Sequence, residues 1–170
     1  MKIGFIGTGA MGQPMVNNLI TKGFSVIAYD LAPSALAAAA KLGAAAAASA
    51  AEAARAADLV ITMVPSSSHA EAAYLGKDGV LEGAAAGRLC VDMSTIDPGT
   101  TCRLAEAARR RGLRFMDAPV SGGVRGATEG TRPFFPRQGK SLPSALSCGF
   151  EVKARGPGES RPGQCLSVPS

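Results

Sequence analysis

The 170-residue chain contains no tryptophan, one histidine and only 5% aromatic residues. Its four cysteines form no Cys-x-x-Cys pair; they are Cys90, Cys102, Cys148 and Cys165. This spacing argues against a zinc site or a redox dithiol, so we expect reduced thiols and no metal. No apolar run reaches the roughly 20 residues of a membrane-spanning helix, and no signal peptide precedes the first apolar segment. We therefore expect no membrane partner and a cytoplasmic location.

Acidic residues are scarce at one end of the chain, where the positive charge collects. The net charge is +5, and residues 132–170 account for +4 of it, with six Lys or Arg against two Glu. A nucleic-acid-binding domain would carry such charge on a folded surface, so we expect no nucleic-acid partner. Six of the eleven prolines also fall in residues 132–170. The composition predicts an ordered domain over residues 1–131 and a largely disordered tail over 132–170.

The clearest motif lies at the amino terminus. An apolar run, Ile3–Ile6, leads into a turn that reads Gly-Thr-Gly-Ala-Met-Gly, and an amphipathic segment extends to about Lys22. In a turn of this pattern Gly7 permits the tight reversal, Gly9 lets the backbone approach a pyrophosphate, and Gly12 lets the helix pack against the strand. The phosphates would lie at the amino terminus of the helix. The motif predicts a dinucleotide site.

An acidic residue stands where such a site needs one. Asp30 ends a second apolar run, Ser25–Tyr29. A carboxylate about 20 residues past the turn binds the ribose hydroxyls of NAD and repels the additional phosphate of NADP. The alternative is that Asp30 caps the next helix, since Pro33 and Ser34 follow closely. The order of strand, turn, helix, strand and acid favours NAD over NADP.

Strand and helix patterns alternate up to about residue 118. We predict strands at about 3–6, 25–30, 44–47, 58–64, 88–92 and 113–117, and helices at about 12–22, 33–42, 49–57, 66–74 and 98–111. Ser49 with Glu52 three residues later predicts a capping box. Residues 75–87 are expected to be a glycine-containing connection. Continuous apolar strands alternating with helices predict an α/β fold, a Rossmann-type doubly wound and mainly parallel sheet.

Four separate blocks resemble the β-hydroxyacid dehydrogenase family. They are the signature Gly4–Met15, the fourth-strand motif Ile61–Pro65, the Ser-Thr-Ile-Asp-Pro block within Asp92–Pro98 and the substrate-loop motif Phe115–Gly123. The resemblance covers roughly residues 1–131, with the blocks in order and at natural spacing. It implies NAD as the cofactor and a small hydroxy-acid substrate. The family is homo-oligomeric, and we expect its oligomer contacts to be largely lost in this chain.

The resemblance also implies roles for individual residues. Met11 belongs to the cofactor signature, Val64 and Pro65 would line the nicotinamide-ribose side, and Thr95 would contact the cofactor near the nicotinamide. At the substrate loop, Ser121, Gly122 and Gly123 would offer a hydroxyl and two backbone N–H groups to a substrate carboxylate. A flexible loop is the alternative for this Ser-Gly-Gly run.

His69, the only histidine, departs from the family, which often has asparagine there. We expect a solvated or capping histidine on the first turn of a helix.

The resemblance ends after Thr131. The family continues with a strand, a long helix that carries a catalytic lysine, and an all-helical carboxy-terminal domain, which we expect to be absent here. Gly149 and Lys153 repeat the Gly-x-x-x-Lys spacing, but Pro157 stands where the family has asparagine and would break a helix. We therefore identify no catalytic residue. We interpret the change of character as a reading-frame shift or a mis-joined coding segment, and a genuine Pro/Arg-rich interaction tail is the alternative.

Within the family, Asp30 and the Ser94–Pro98 block favour NAD-dependent oxidation of 3-hydroxyisobutyrate to methylmalonate semialdehyde, a step of valine degradation. Two alternatives stay open: another short β-hydroxyacid, as in a tartronate semialdehyde reductase, and a non-catalytic NAD-binding module. Without a general base for the hydroxyl proton, we expect the chain as written to be inactive.

Overall fold

The computed structural model describes residues 1–120 and 127–128, together with the backbone of 133–134 and 151–152. Six strands form one sheet in the order β3-β2-β1-β4-β5-β6, and every neighbouring pair is parallel. The strands are β1 Lys2–Ile6, β2 Ser25–Tyr29, β3 Ala45–Ala46, β4 Leu59–Thr62, β5 Leu89–Asp92 and β6 Arg114–Asp117. This order confirms the predicted Rossmann-type doubly wound sheet.

Six helices connect the strands. They are α1 Gly12–Thr21, α2 Pro33–Lys41, α3 Ala50–Arg55, α4 Ser67–Leu75, α5 Val80–Gly83 and α6 Pro98–Arg110. Helix α5 lies in the stretch predicted as a connection, which is a difference from the sequence interpretation. Two further strands of two residues each, β7 Pro133–Phe134 and β8 Glu151–Val152, pair in parallel. The predicted disorder of residues 132–170 otherwise concerns residues outside the described part.

The central strands β1, β4 and β5 bury both of their faces. Along β4, Leu59 and Ile61 pack in one apolar cluster together with Met15 of α1, while Val60 lies in a second cluster together with Leu104 of α6. Successive side chains of a strand point to opposite faces of the sheet. Helices therefore cover the two faces of the sheet separately, which explains the continuous apolar strands in the sequence.

The alanine-rich stretch allows α3 to approach the sheet closely. A Cβ atom on Gly4 of β1 would lie 2.9 Å from the carbonyl oxygen of Ala53 and 3.1 Å from the Cβ of Ala57. The predicted Ser49 cap at the start of α3 is present, since the Ser49 hydroxyl accepts the Glu52 N–H at 3.0 Å. The Glu52 carboxylate accepts the N–H of Ala48 at 2.6 Å, one residue before the Ser49 N–H that a capping box uses. The small residues of β1 and α3 therefore let the backbones of the strand and the helix lie close together.

Within the described part of the chain, no helix has the length and apolar character needed to cross a membrane. Nor does any group of three or more His, Cys, Asp or Glu side chains in that part have the arrangement of a metal site. The buried Cys90 is a thiol whose pKa is raised to about 12 by burial, so it stays protonated at neutral pH.

Candidate functional site

The carboxyl ends of the central strands meet along one edge of the sheet. In the strand register Ile6 is paired with Thr62, Thr62 with Asp92, and Asp92 with Asp117. The connections that follow these strands contain most of the residues singled out in the sequence. Open parallel sheets bind ligands at this edge, in the crevice where the strand order reverses about β1.

Two of the three motif glycines are required by the protein itself. Gly7 has a φ of +92°, and a Cβ there would overlap the carbonyl oxygen of Met63. A Cβ on Gly12 would overlap the carbonyl oxygen of Gly7, because α1 begins directly against the turn. Neither position tolerates a side chain without movement of the backbone, so both glycines shape the turn.

The third glycine is different, because no contact among the described residues explains it. Gly9 is exposed, has no positive φ, and a Cβ atom built on it would meet no atom of the described residues within 4 Å. A side chain is therefore excluded by neither packing nor backbone conformation. The space beside Gly9 is where the motif would place a pyrophosphate, so the turn fits a bound dinucleotide.

Helix α1 begins behind the turn without a side-chain cap and without an acidic residue in its first turn. The amino ends of α3, α4 and α6 are capped by Ser49, Ser66 and Asp97, whereas α2 and α5, like α1, begin without a side-chain cap. An uncapped amino terminus leaves backbone N–H groups and the positive end of the helix dipole available to an anion. This is a second feature of α1 that fits a phosphate group.

Asp30 lies at the end of β2 and contacts the glycine turn. Its Oδ2 atom accepts the backbone N–H of Thr8 at 2.6 Å and the Thr8 hydroxyl at 3.4 Å. Its Oδ1 atom accepts the N–H of Ala32 at 2.8 Å, but Ala32 is the residue that precedes α2 and this helix has no side-chain cap, so the alternative that Asp30 caps the helix is wrong. A carboxylate offers about four acceptor positions. Asp30 is half-buried, and Oδ1 keeps capacity for a further donor.

Two residues beside Asp30 were not singled out in the sequence. Thr8 is completely buried and bonds to Asp30 through both its N–H and its hydroxyl. Leu31 is 75% exposed, the largest exposure among the big apolar side chains of the described part. Its position next to a candidate ribose-binding acid was the one sequence signal. An exposed leucine there offers an apolar surface for the flat face of an adenine ring.

A buried polar network lies under the connections that follow β4 and β5. Asp92 is fully buried, and its Oδ1 atom accepts three hydrogen bonds: from the Thr62 hydroxyl at 2.7 Å, from the Ser94 hydroxyl at 2.7 Å and from the Ser94 N–H at 3.2 Å. The Ser94 hydroxyl in turn accepts the Val64 N–H at 2.9 Å. Tyr74, also fully buried, lies 3.2 Å from the Thr62 hydroxyl through its own hydroxyl.

Burial determines the protonation of this network. Desolvation raises the pKa of Asp92 above its ordinary value, and the hydrogen bonds from Ser94 and Thr62 oppose this rise. Desolvation also raises the pKa of Tyr74 far above its ordinary value, so the phenol stays protonated. The Oδ2 atom of Asp92 has no hydrogen-bond partner in the described structure. In the sequence, the mark of this network is an acidic residue at the end of an otherwise apolar strand.

The remaining predicted cofactor residues lie along the same edge. Val64 is half-buried, Pro65 and Thr95 are exposed, and Met11 is partly buried against the apolar cluster that contains Met15. The structure therefore places Val64, Pro65 and Thr95 beside the network and assigns Met11 at least a packing role. Their contacts with a cofactor remain a prediction.

The substrate-loop residues Ser121, Gly122 and Gly123 lie outside the described residues. The chain leading to them is held to the end of β5, since the Ala118 N–H bonds to the carbonyl of Asp92 at 2.8 Å. After the loop, the carbonyl of Ala127 accepts a hydrogen bond of 2.7 Å from the side-chain amide of Asn18 in α1. Asn18 was not identified from the sequence.

His69 lies on the first turn of α4 and is exposed. Its Nδ1 atom is 2.7 Å from the hydroxyl of Ser66, which also accepts the His69 N–H. The prediction of a capping or solvated histidine is therefore confirmed. The candidate base Lys153 lies outside the described residues.

Residues 2–139 match the family described as the NAD-binding domain of 6-phosphogluconate dehydrogenase. The 3-hydroxyisobutyrate dehydrogenase of Pseudomonas aeruginosa is 46% identical over 132 residues, which are 78% of this chain and 44% of that protein. The NAD-dependent L-serine dehydrogenase of the same organism is 47% identical over 133 residues, 78% of this chain and 45% of the relative. The chain thus spans less than half the length of these curated relatives.

A solved structure agrees with this similarity. The 3-hydroxyisobutyrate dehydrogenase of Mycobacterium tuberculosis with L-serine superposes with a TM-score of 0.77 at 38% identity, over 86% of this chain and 48% of that one. The family match includes all six strands of the sheet and the whole glycine turn. The chain therefore belongs to the family of the NAD-binding domain of 6-phosphogluconate dehydrogenase, as a homologue of the 3-hydroxyisobutyrate dehydrogenases.

Proposed function

We propose that residues 1–131 bind NAD across the carboxyl edge of the sheet, as the cofactor domain of a β-hydroxyacid dehydrogenase. The observation that carries the proposal is the open space at Gly9, a glycine that packing among residues 1–120 and 127–128 does not require. The uncapped amino terminus of α1 supports the same placement of the pyrophosphate.

Bound NAD would supply a hydride acceptor, and the chain's own residues would orient it. The backbone at Gly9 and the first turn of α1 receive the phosphates. Asp30 accepts a ribose hydroxyl through Oδ1, while its Oδ2 remains bonded to the turn at Thr8. The same negative charge repels a 2′-phosphate, so NAD is preferred over NADP. Val64, Pro65 and Thr95 border the nicotinamide end.

A substitution at Gly9 tests the cofactor site. Gly9→Val fills the space beside the backbone without a clash inside the protein, so the circular dichroism spectrum and melting temperature are expected to stay close to those of the unmutated chain. NADH binding, followed by the fluorescence of the bound nicotinamide, is expected to be lost. Retained NADH affinity in a folded Gly9→Val variant would place the phosphates elsewhere and contradict the proposal.

For the substrate we propose a short 3-hydroxy acid, with 3-hydroxyisobutyrate preferred. The relatives above are named for 3-hydroxyisobutyrate and for L-serine, and both compounds combine a carboxylate with a hydroxyl on the β-carbon. The hydroxyl and two backbone N–H groups of Ser121, Gly122 and Gly123 suit that carboxylate. A cytoplasmic location and the loss of most of the family's oligomer contacts remain predictions.

Binding, rather than turnover, is the direct test of the substrate. Isothermal titration of the NAD-loaded chain with 3-hydroxyisobutyrate, L-serine and glycerate, the alcohol that corresponds to tartronate semialdehyde, would rank the three. We expect 3-hydroxyisobutyrate to bind most tightly and Ser121→Ala to weaken it. A higher affinity for L-serine or glycerate would replace the proposed substrate without affecting the cofactor site.

We also propose that the 170-residue polypeptide does not turn this substrate over. Oxidation of an alcohol requires a base for the hydroxyl proton, and loss of a general base typically costs about 10²–10⁴ in rate. Gly149 and Lys153 repeat the family's Gly-x-x-x-Lys spacing, but Lys153 lies too close to Ser121 in the sequence, and Pro157 is incompatible with the helix that would carry a base. Robust NAD-dependent oxidation of 3-hydroxyisobutyrate by the purified chain would contradict this, and Lys153→Ala would then be the first variant to test.

A further inference from the structure

We propose that Asp92 is a positioning residue for the nicotinamide end of the cofactor: acting through Ser94, it fixes the backbone at Val64. This inference rests on the proposed NAD site. It is carried by the chain of hydrogen bonds that runs from the Asp92 carboxylate to the connection after β4.

The environment of Asp92 is unfavourable for a residue that only stabilises the fold. Its side chain is fully buried, no ion pair among the described residues involves it, and its Oδ2 atom has no hydrogen-bond partner there. Burial of an uncompensated carboxylate is costly, and an apolar residue of similar size would avoid the cost. A buried polar group of this kind requires an explanation other than packing.

Asp92 accepts each of its hydrogen bonds, and this fixes which group donates in the other bonds of the network. Both the N–H and the hydroxyl of Ser94 point to Oδ1 of Asp92. With its proton committed, the Ser94 oxygen is left to accept, and it accepts the N–H of Val64. The Thr62 hydroxyl also donates to Asp92, which leaves its oxygen to accept from Tyr74. One carboxylate oxygen therefore orients donors from β4 and from the connection after β5.

The position of these bonds is what links them to the cofactor. The backbone ladder between β4 and β5 extends to the Met93 N–H, which bonds to the carbonyl of Thr62 at 2.8 Å. Beyond it, the bond from Val64 to the Ser94 side chain holds the two connections together. Val64 is followed by Pro65 and Ser94 by Thr95, so both connections contain residues proposed to border the nicotinamide. We expect a change at Asp92 to loosen this end of the site, whereas the bond between Asp30 and Thr8 does not involve Asp92.

A comparison of two ligands separates positioning from a general loss of structure. NADH contains the nicotinamide, whereas ADP-ribose contains only the adenosine, the pyrophosphate and the second ribose. We would measure both by isothermal titration against the full chain and against Asp92→Ala, Asp92→Asn and Ser94→Ala. The matched control is Asp58→Ala, at the opposite edge of the sheet, which also removes a carboxylate that accepts a backbone N–H and a side-chain donor.

We expect Asp92→Ala and Ser94→Ala to weaken NADH binding about five- to tenfold, the size of one lost hydrogen bond, with ADP-ribose affinity changed less than about twofold. Asp92→Asn keeps an acceptor oxygen at Oδ1, so it is expected to restore NADH affinity. Asp58→Ala is expected to change neither affinity. If Asp92→Ala does not fold, as judged by its melting curve, Ser94→Ala decides the question because it keeps the carboxylate.

Equal weakening of both ligands, or no weakening of NADH in folded Ser94→Ala, would overturn the positioning role while leaving the cofactor site intact. Failure of the unmutated chain to bind ADP-ribose and NADH would overturn the proposed function, and this inference with it.

Discussion

The carboxylate of Asp30 accepts the backbone N–H of Thr8 at 2.6 Å and thereby connects the end of β2 to the glycine turn after β1. The acid that the motif assigns to ribose is thus also part of the turn that receives the phosphates. The preference for NAD over NADP and the shape of the phosphate site therefore both depend on the side chain of Asp30. Substitutions at this position can separate the two roles.

Asp30→Asn and Asp30→Ala are expected to differ. Asparagine keeps an oxygen that accepts the Thr8 N–H and removes the charge, so NADH affinity should fall only a little while the preference over NADPH narrows. Alanine leaves the buried Thr8 N–H without its acceptor, which costs about 1–3 kcal/mol, so both NADH affinity and thermal stability should fall. Fluorescence titrations and melting curves of both variants check this. Identical behaviour of the two variants would refute the double role.

The three motif glycines are expected to respond differently to alanine. Gly7→Ala combines an unfavourable positive φ with a clash at the carbonyl of Met63, and Gly12→Ala creates a clash at the carbonyl of Gly7. Each should destabilise the protein by about 1–3 kcal/mol in urea unfolding. Gly9→Ala should stay within about 0.5 kcal/mol of the unmutated chain. A Gly9→Ala variant as unstable as the other two would show that packing, rather than a ligand, requires that glycine.

The burial of Asp92 is expected to lower the free energy of unfolding by an amount that depends on pH. Burial raises its pKa in the folded state above the ordinary 3.8, so the folded protein holds this proton more tightly than the unfolded chain. Stability from this group therefore decreases as the pH rises above about 4. Asp92→Asn removes the charge that causes the penalty. In urea unfolding, the free energy of unfolding of this variant relative to that of the unmutated chain should therefore be higher at pH 7 than at pH 4. A difference in stability that does not change with pH would contradict the assignment.

For Asp97 we expect the opposite dependence of stability on pH. It caps α6 by accepting the N–H of Thr100 at 2.9 Å and its hydroxyl at 2.6 Å. Hydrogen bonds, first from Ser67 and then from Thr100, lower the pKa of Asp97 below 3.8. The stabilisation is complete above about pH 4 and is lost as the pH falls further. The melting temperature of Asp97→Ala should therefore lie below that of the unmutated chain at pH 7 and approach it under acidic conditions. A deficit of equal size at both pH values would exclude the charge of Asp97 as the cause.

Local signals explain how much of this fold could be predicted from the sequence. Continuous apolar runs predicted the strands, and the Ser49 and Glu52 pair predicted the start of α3, because both depend on neighbours within a few residues. Helix α5 was missed, since its four residues Val80–Gly83 are too few to show a period. The Gly-x-Gly-x-x-Gly motif and Asp30 were found because their spacing is itself the signal.

The rest of the site depends on contacts between distant segments. Thr62, Tyr74 and Asp92 become one network only when β4 pairs with β5 in register and α4 packs over them. The sequence contains no local mark of that register. The contact between Asn18 and the carbonyl of Ala127 spans 109 positions and is equally invisible to local patterns. The roles assigned to Ser121, Gly122 and Gly123 remain predictions.

The most direct test of the account compares NADH and NADPH binding to the unmutated chain at one ionic strength. The two cofactors differ only in the phosphate on the adenosine ribose, which the account places against the carboxylate of Asp30. We expect NADH to bind about tenfold or more tightly than NADPH, because like charges brought together at a binding site are strongly unfavourable. Equal affinities, or tighter binding of NADPH, would contradict the claim that Asp30 and the Gly7–Gly12 turn form an NAD site.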